Sequence, residues 1–308
     1  MKKISIVTPT YNEEANIEEL CNLISEKMKS LNYEYEHIVI DNCSTDSTIS
    51  ILKNLAIKNK NLKIIINSRN FGHIKSPIYG ILQANGDAVI LMSSDFQDPI
   101  SLIPTYIEEW EKGSKVVMAQ KDTSDEDIKL NFIKKCFYRI IKSISDVPLL
   151  INTTGAGLFD RKIVEEIRKI DDPYPYFRGL ISEITSEIKL IKFHQPKRAG
   201  GETKNNFYTL YDIAVLGVIK HSKVPLRLLT FVGLITSFLS LLAATIFFFR
   251  KIFNWESFEV GIAPLIIGFF FIASIQIFLI GFIGEYVMNI LTQTRRLPLV
   301  IEKERINF

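Results

Sequence analysis

Two long runs without a single charged residue, Leu228 to Phe249 and Val260 to Gly284, constrain this 308-residue chain more than any other feature. Each meets the requirement of ~20 apolar residues for a helix that crosses the hydrocarbon of a bilayer. A buried helical hairpin in a soluble domain is the alternative, but two such runs in succession favour membrane spans. Trp255 and Phe258 lie between the runs and Tyr286 follows the second, where amphipathic rings favour the water interface. Lys220, Lys223 and Arg227 precede the first run, and Arg295, Arg296, Lys303 and Arg305 follow the second. Both outer flanks are therefore expected on the cytoplasmic side. The connector carries Arg250, Lys251, Glu256 and Glu259, which makes it a polar turn between spans.

The part that precedes the runs is of another kind. "MKKISIVTPTYNEE" starts basic, but Pro9 and Asn12 interrupt its apolar stretch, so no secretory signal is expected and the N-terminal part should stay in the cytoplasm. A hydrophobic content of 47% leaves ample material for a core. Cys21, Cys43 and Cys136 lack paired metal-ligand spacing and predict neither a disulfide framework nor a zinc site. The net charge of +3 is too small to imply a nucleic-acid partner, and the cations beside the apolar runs suit anionic lipid or phosphate.

Strand-like and helix-like segments alternate: "KISIVTP", a helix from about Ala15 to Leu31, "YEHIVID", a helix after Asp46, "LKIIINS", a helix from His73 to Ala84, then "GDAVILMSS". That order predicts a mostly parallel sheet with covering helices. "LIPTYIEEWEKG" reads as a helix closed by Gly113, "KVVMAQK" as a strand, Ile128 to Ser145 and "RKIVEEIRKI" as helices, and "IKLIKFHQP" as a late strand. "NNFYTLYDIAVLGVIKHS" is amphipathic and suits either the membrane surface or the face of the preceding domain. The expected organisation is a cytoplasmic domain over 1–205, a juxtamembrane helix over 206–225, two spans within 226–290 and a cytoplasmic tail over 291–308.

Three strand ends carry polar clusters: Thr8 to Glu13 in "TPTYNEE", Asp41 to Asp46 in "DNCSTD", and Asp95 to Asp98 in "DFQDP". In a parallel sheet such ends converge on one rim, where open α/β folds bind ligands. A single strand-end aspartate is more often a turn or cap residue, and Asp98 reads as a helix cap, but three clusters in succession point to a site.

These motifs, with "NSRNFGHIKSPIYGILQANGDAVILMSSDFQDP", "YFRGL", "PKRAGGETK", "PLRLLTFVGL" and "GEYV", resemble glycosyltransferase family 2 enzymes of the polyisoprenyl-phosphate type. The resemblance covers nearly the whole chain. It implies a GT-A (Rossmann-like) nucleotide-sugar-binding domain followed by a two-helix transmembrane hairpin. It implies that Pro9, Tyr11 and Glu13 flank the nucleotide and that Asp41 contacts its base or ribose. Asp95 and Gln97 would bind a divalent cation bridging the donor diphosphate, and hard oxygen ligands suit Mg2+ or Mn2+. Arg69 and His73 would line the nucleotide side. A homo-oligomer, a tetramer, and a bacterial source are further implications.

The chain departs from the family pattern at three places. Ser93, Ser94 and Asp95 stand where an Asp-x-Asp pair is usual, Asn42 and Cys43 stand in the "DDGS" position, and Gly155 and Gly157 replace Asp and Arg in "TTGAGLFDR". A sugar-hydroxyl acceptor needs a general base, whereas a phosphate monoester with a second pKa near ~6 is already ionised and nucleophilic at neutral pH. The lost Asp is thus tolerable if the acceptor is a phosphate. Cations must then help bring two anions together, and Arg198 and Lys204 around Gly200 and Gly201 are the catalytic candidates beside Asp95, with Arg178 as a further phosphate ligand. The expected activity is inverting transfer from a UDP-linked sugar to undecaprenyl phosphate at the cytoplasmic face, for a surface polysaccharide. The alternatives are extension of a lipid-linked saccharide, with Glu183 as the base, or a non-catalytic membrane scaffold.

Overall fold

A computed structural model describes residues 1–124, 150, 152–170, 172–196, 216–217, 219–220, 222–253, 262–295 and 297–308. The first half alternates as its sequence predicts: β1 (Lys3–Thr10), α1 (Ile17–Ser30), β2 (Glu34–Asp41), α2 (Thr48–Lys58), β3 (Leu62–Asn67), α3 (Gly72–Gln83), β4 (Ala88–Leu91) and α4 (Leu102–Glu111). Strands β5 (Val116–Ser124) and β6 (Thr153–Asp160), helices α5 (Arg161–Ile170) and α6 (Phe177–Ile184), and β7 (Ile188–Gln195) follow. Two long helices, α7 (Val224–Phe253) and α8 (Ile262–Thr294), precede a last strand, β8 (Glu302–Ile306).

The eight strands form one sheet in the order β7-β5-β6-β4-β1-β2-β3-β8. Pairing is parallel for β1 with β2 and β4, β2 with β3, and β5 with β7, and antiparallel for β4 with β6, β5 with β6, and β3 with β8. The sheet is therefore mixed, where alternation alone predicts a mostly parallel one. Strands β1, β3 and β4 are rich in Ile, Leu and Val because helices cover both faces. On one face α1 buries Ile17, Leu20, Cys21, Ile24 and Met28, a spacing that turns one side of a 3.6-residue helix inward, against Ile4, Ile6 and Ile64. On the other face Ile78 and Ile81 of α3, Ile163 and Val164 of α5, and Leu180 and Ile181 of α6 pack over Val7, Ile40 and Ile65.

Helices α7 and α8 are long and carry exposed large apolar side chains, among them Leu228, Phe231 and Phe238 on α7 and Phe269, Phe271 and Phe278 on α8. Among the described residues, Phe271–Thr294 is long and apolar enough to cross a membrane, with mean hydropathy 1.8 and none of its span buried. The sequence treats everything after the second run as a tail. Instead the chain returns: Glu302 pairs with Asn67 and Ile306 with Ile64, so β8 closes the outer edge of β3. Lys53 of α2 binds Glu304 at 2.6 Å, Tyr79 of α3 donates to Glu302 at 2.8 Å, and Asn307 donates to the carbonyls of Ala56 and Leu62. "EKERI" shows no alternation of apolar and polar residues because its contacts are backbone pairs and ions, which hydropathy does not register.

At the end of the sheet where β1 begins, one buried carboxylate ties four segments. Glu36 Oε2 accepts from Lys3 and Lys63 Nζ, both at 2.8 Å, and Oε1 accepts from Ser5 Oγ at 2.6 Å and Asn85 N at 2.7 Å. Burial alone would raise the Glu36 carboxyl, but these hydrogen bonds outweigh it and hold the pKa down at about 2. A folded pKa below the ordinary value of 4.5 gives stability that is present above pH 4.5 and lost as the pH falls toward 2. Glu36→Gln is expected to lower stability at neutral pH by on the order of 2 kcal/mol and to flatten the acid limb of the unfolding curve. Denaturation followed by circular dichroism between those pH values checks both effects, and an unchanged acid limb would contradict this account.

Candidate active site

The C-terminal ends of β1, β2, β3 and β4 lie on one rim, because these strands are parallel. Strand β6 runs against β4 and so begins at that rim, while β5 and β7 end there. Each of the loops leaving β1, β2 and β4 holds a non-glycine residue in left-handed backbone: Asn12 at φ 54°, Cys43 at φ 65° and Phe96 at φ 58°. Such residues are uncommon and cluster where function constrains the chain. Asn12 N donates to Ser44 Oγ at 2.8 Å and Asn12 Oδ1 accepts from Thr45 N at 2.8 Å. Glu13 N donates to Thr48 Oγ1 at 2.9 Å, and Ser47 N to Glu14 Oε2 at 2.9 Å, so the first two loops are laced into one surface.

Asp41 is fully buried at the tip of β2, and its carboxylate accepts from both the backbone N and the Oγ of Ser44. Burial raises its carboxyl, and the Ser44 hydrogen bonds oppose that. Asn42 is the hub of the next loop. Its Nδ2 donates to Asn70 Oδ1 at 2.8 Å and to the Gly72 carbonyl at 3.2 Å. Its Oδ1 accepts from Asn67 Nδ2 at 3.0 Å and Phe71 N at 2.8 Å. The amide in place of the family's Asp thus supplies donors as well as acceptors, and Cys43 takes the left-handed position that glycine usually fills.

The loop after β4 folds back on itself through Asp98. Ser93 N and Oγ both donate to Asp98 Oδ2, at 3.2 and 2.7 Å. Asp98 is buried, and Oδ1 has no hydrogen-bond partner. Burial raises the Asp98 carboxyl, hydrogen bonds from Ser93 and Thr154 oppose this, and the Asp95 charge adds to the rise. Asp98 is therefore a loop anchor and not a helix cap; Ser101 occupies the N-cap of α4, without a side-chain cap bond. Asp95 and Gln97 are half-buried, and Asp95 Oδ1 accepts from Gln97 N at 3.2 Å. A carboxylate, an amide oxygen and a nearby orphan carboxylate oxygen are hard donors and fit a Mg2+ or Mn2+ ion. Among the described residues no group of three His, Cys, Asp or Glu that could hold a metal ion converges.

The remaining candidates fall in several places. Pro9 lies in β1 opposite Ile40, with Tyr11 and Glu13 in the loop beyond, and Glu13 Oε2 accepts from Asn16 Nδ2 at 2.8 Å. Arg69 and His73 flank the start of α3 at the same rim. Arg178 is half-buried on α6. Glu183, near the end of α6, lines a cavity of about 260 Å³ shared with Tyr176, Asn289 and Gln293. Arg198 and Lys204 lie outside the described residues, as do the expected helix over Ile128 to Ser145, Cys136, and most of the juxtamembrane helix. Sequence reasoning missed Asn42 as a hub, and it missed a clamp: Asp172 accepts from Lys220 Nζ at 2.5 Å and from Gln293 Nε2 of α8 at 2.9 Å. Only the three-dimensional meeting of distant segments reveals either.

Asn42→Asp keeps the side-chain shape but sets a carboxylate against Asn70 Oδ1 and the Gly72 carbonyl. It should destabilise the protein by about 1–3 kcal/mol, while Cys43→Gly should be neutral or stabilise by up to ~1 kcal/mol by relieving left-handed strain. Thermal melts of the two variants check the pair, and a harmless Asn42→Asp would contradict the hub.

Comparison with known proteins agrees with this arrangement. Residues 5–168 match the family model described as Glycosyl transferase family 2. An uncharacterized glycosyltransferase of Synechocystis is 32% identical over 97% of this chain and 94% of its own. The prophage bactoprenol glucosyl transferase homolog of Escherichia coli and the bactoprenol glucosyl transferase of Shigella phage SfV are each 29% identical over 98% of both chains. Glucosyl-3-phosphoglycerate synthase of Mycobacterium tuberculosis, solved with Mn2+, UDP and phosphoglyceric acid, shares the fold at TM-score 0.51 and 16% identity, over 71% of this chain and 76% of that one. A family match over more than half of the chain, relatives alike over nearly all of it, and a GT-A-like mixed sheet together make this protein a glycosyltransferase, a member of glycosyl transferase family 2.

Proposed function

We propose that this glycosyltransferase moves a sugar from a UDP-linked donor to a polyisoprenyl phosphate, undecaprenyl phosphate, at the cytoplasmic face of the cell membrane. The observation that carries the proposal is the direction of β8. The chain leaves α8 and enters the sheet at Glu302, opposite Asn67, at the rim that holds Asp95; Ser68 N donates to the Ile301 carbonyl at 2.9 Å beside it. The chain thus runs from the end of a long apolar helix at Thr294 to the rim within eight residues, which suits a site that joins a soluble donor to a membrane acceptor.

Two spans within 226–290, about 228–249 and 260–284, are supported by the same strand. Segments before α7 and after α8 belong to one sheet, so an even number of crossings is needed to keep both on one side. With 30 and 33 residues the helices are roughly 45 and 50 Å long, enough for a ~30 Å hydrocarbon layer. Cations on both outer flanks favour the cytoplasm for the domain over 1–205 and for the C-terminal segment over 291–308. The names of the bactoprenol glucosyl transferases, alike over 98% of this chain, support the lipid acceptor.

In this reading the laced loops of Pro9 to Glu13 and Asp41 to Ser44 form the nucleotide bed, and Asp95 and Gln97 face the donor diphosphate. A divalent cation held by them would offset the charge that develops on the leaving diphosphate. An acceptor phosphate oxygen attacks the anomeric carbon, the bond from that carbon to the diphosphate oxygen breaks, and its electron pair departs with the nucleoside diphosphate. One in-line displacement inverts the anomeric centre. The acceptor oxygen is already ionised at neutral pH, so no carboxylate need remove a proton, which is compatible with Gly155 in place of Asp. Strand β7 ends on the rim at Gln195, three residues before Arg198, which supports Arg198 and Lys204 as cations for the phosphates, with Arg178 as a further ligand.

Lipid mass spectrometry after incubating the purified chain with undecaprenyl phosphate, Mg2+ or Mn2+ and a panel of nucleotide-sugars tests the proposal. A new glycosyl-phosphoryl lipid is expected with at least one donor, and Asp95→Ala should lower its formation by roughly 10²-fold or more while leaving the protein folded. Absence of product with every donor from folded protein would overturn the acceptor or the activity.

A further inference from the structure

Two cations at the rim stand apart from the residues already assigned to phosphates. Arg69 lies in the loop after β3 and Lys75 in the first turn of α3. Among the ion pairs of the described residues none includes Arg69 or Lys75, so no described carboxylate pairs with either charge within 4.0 Å. The Arg69 guanidinium carbon rests 4.2 Å from the centroid of the Phe71 ring, and Phe71 N donates to Asn42 Oδ1. Lys75 Nζ sits 5.7 Å from the centroid of the Tyr174 ring, and the Tyr174 carbonyl accepts from Lys220 at 2.6 Å. Lys220 is in turn clamped with Gln293 of α8 by Asp172. Lys75 therefore stands between the nucleotide-side loop and the segment that holds the ends of the apolar helices. Burial lowers the Lys75 pKa, and the Arg69 charge adds to that fall.

We propose that Arg69 and Lys75 form a phosphate-binding pair at the rim, taking either the phosphate of the lipid acceptor or the diphosphate of the donor. The assignment rests on the reading of the rim as the site where donor and acceptor meet. Two like charges held together by a fold are relieved by a multiply charged anion between them, and a guanidinium fork with a mobile ammonium matches phosphate oxygens. The lysine lies on the side nearer the helices, where a lipid phosphate would enter.

The test uses the full chain in detergent, with Lys75→Gln, Arg69→Gln and the charge-preserving Lys75→Arg, each checked by thermal melt for an intact fold. Binding is measured for inorganic pyrophosphate without metal, for undecaprenyl phosphate in micelles, and for UDP with Mn2+. Both neutral variants should weaken pyrophosphate binding about tenfold or more, and Lys75→Arg should recover most of it. A parallel loss with undecaprenyl phosphate assigns the pair to the acceptor, and a loss with UDP assigns it to the donor. Unchanged affinity of Lys75→Gln and Arg69→Gln for all three probes would overturn the pair. If the wild-type chain binds pyrophosphate through these residues yet neither UDP nor the lipid, the transferase reading fails and the anion site stands.

Discussion

Parallel pairing of β1 with β2 on one side and β4 on the other is the constraint on which the site depends. Because the three strands point the same way, the loops that leave them emerge together, and their polar residues share one rim although more than 80 positions separate Asn12 from Asp98 in the chain. Apolar residues on both faces of these strands leave no freedom to shift register, since a one-residue slip would turn buried side chains and loop anchors to the wrong side. Glu36 fixes the opposite end of the same strands, so the rim is held by a sheet tied at its far side.

The rim is shaped by hydrogen bonds within and between loops more than by packing. Ser44 joins the first two loops, Asn42 joins the second to the third, and Asp98 folds the β4 loop onto Ser93. Three left-handed residues lie in this network, and the bonds around them offset their backbone strain. Two of the three departures from the expected pattern have local explanations here: a donor-acceptor amide at Asn42 with a left-handed residue at Cys43, and a serine that donates to a neighbouring carboxylate at Ser93.

Much of this was legible in the sequence, for identifiable reasons. Alternating apolar strands and amphipathic helices announced the α/β core, and the polar clusters after "SIVTP", "HIVID" and "VILM" marked the rim because strand ends are where such a sheet meets solvent. Asp95 and Gln97 lie half-buried at that rim, because β4 ends there. Asp98 did not: its place before a helix suggested a cap, but a hydrogen bond back to Ser93 overrides local position. The antiparallel strands β6 and β8 were hidden for different reasons. β6 begins in "TTGAG", whose glycines mask a strand, and β8 is a charged edge that pairs through its backbone. The Asp172 clamp joins residues more than 100 positions apart, and no local pattern encodes it.

The position of β8 also sets an order of events during synthesis. Its five residues are made more than 230 residues after β3, the strand with which they pair. Until then the outer edge of β3 has open backbone donors and acceptors, the kind of edge that recruits wrong partners. The charged strand that finally covers it cannot arrive before both apolar helices have been made. Completion of the sheet is thus a signal that the helices have been placed with their ends together, and a chain whose helices were misplaced would keep an exposed edge for quality control to find.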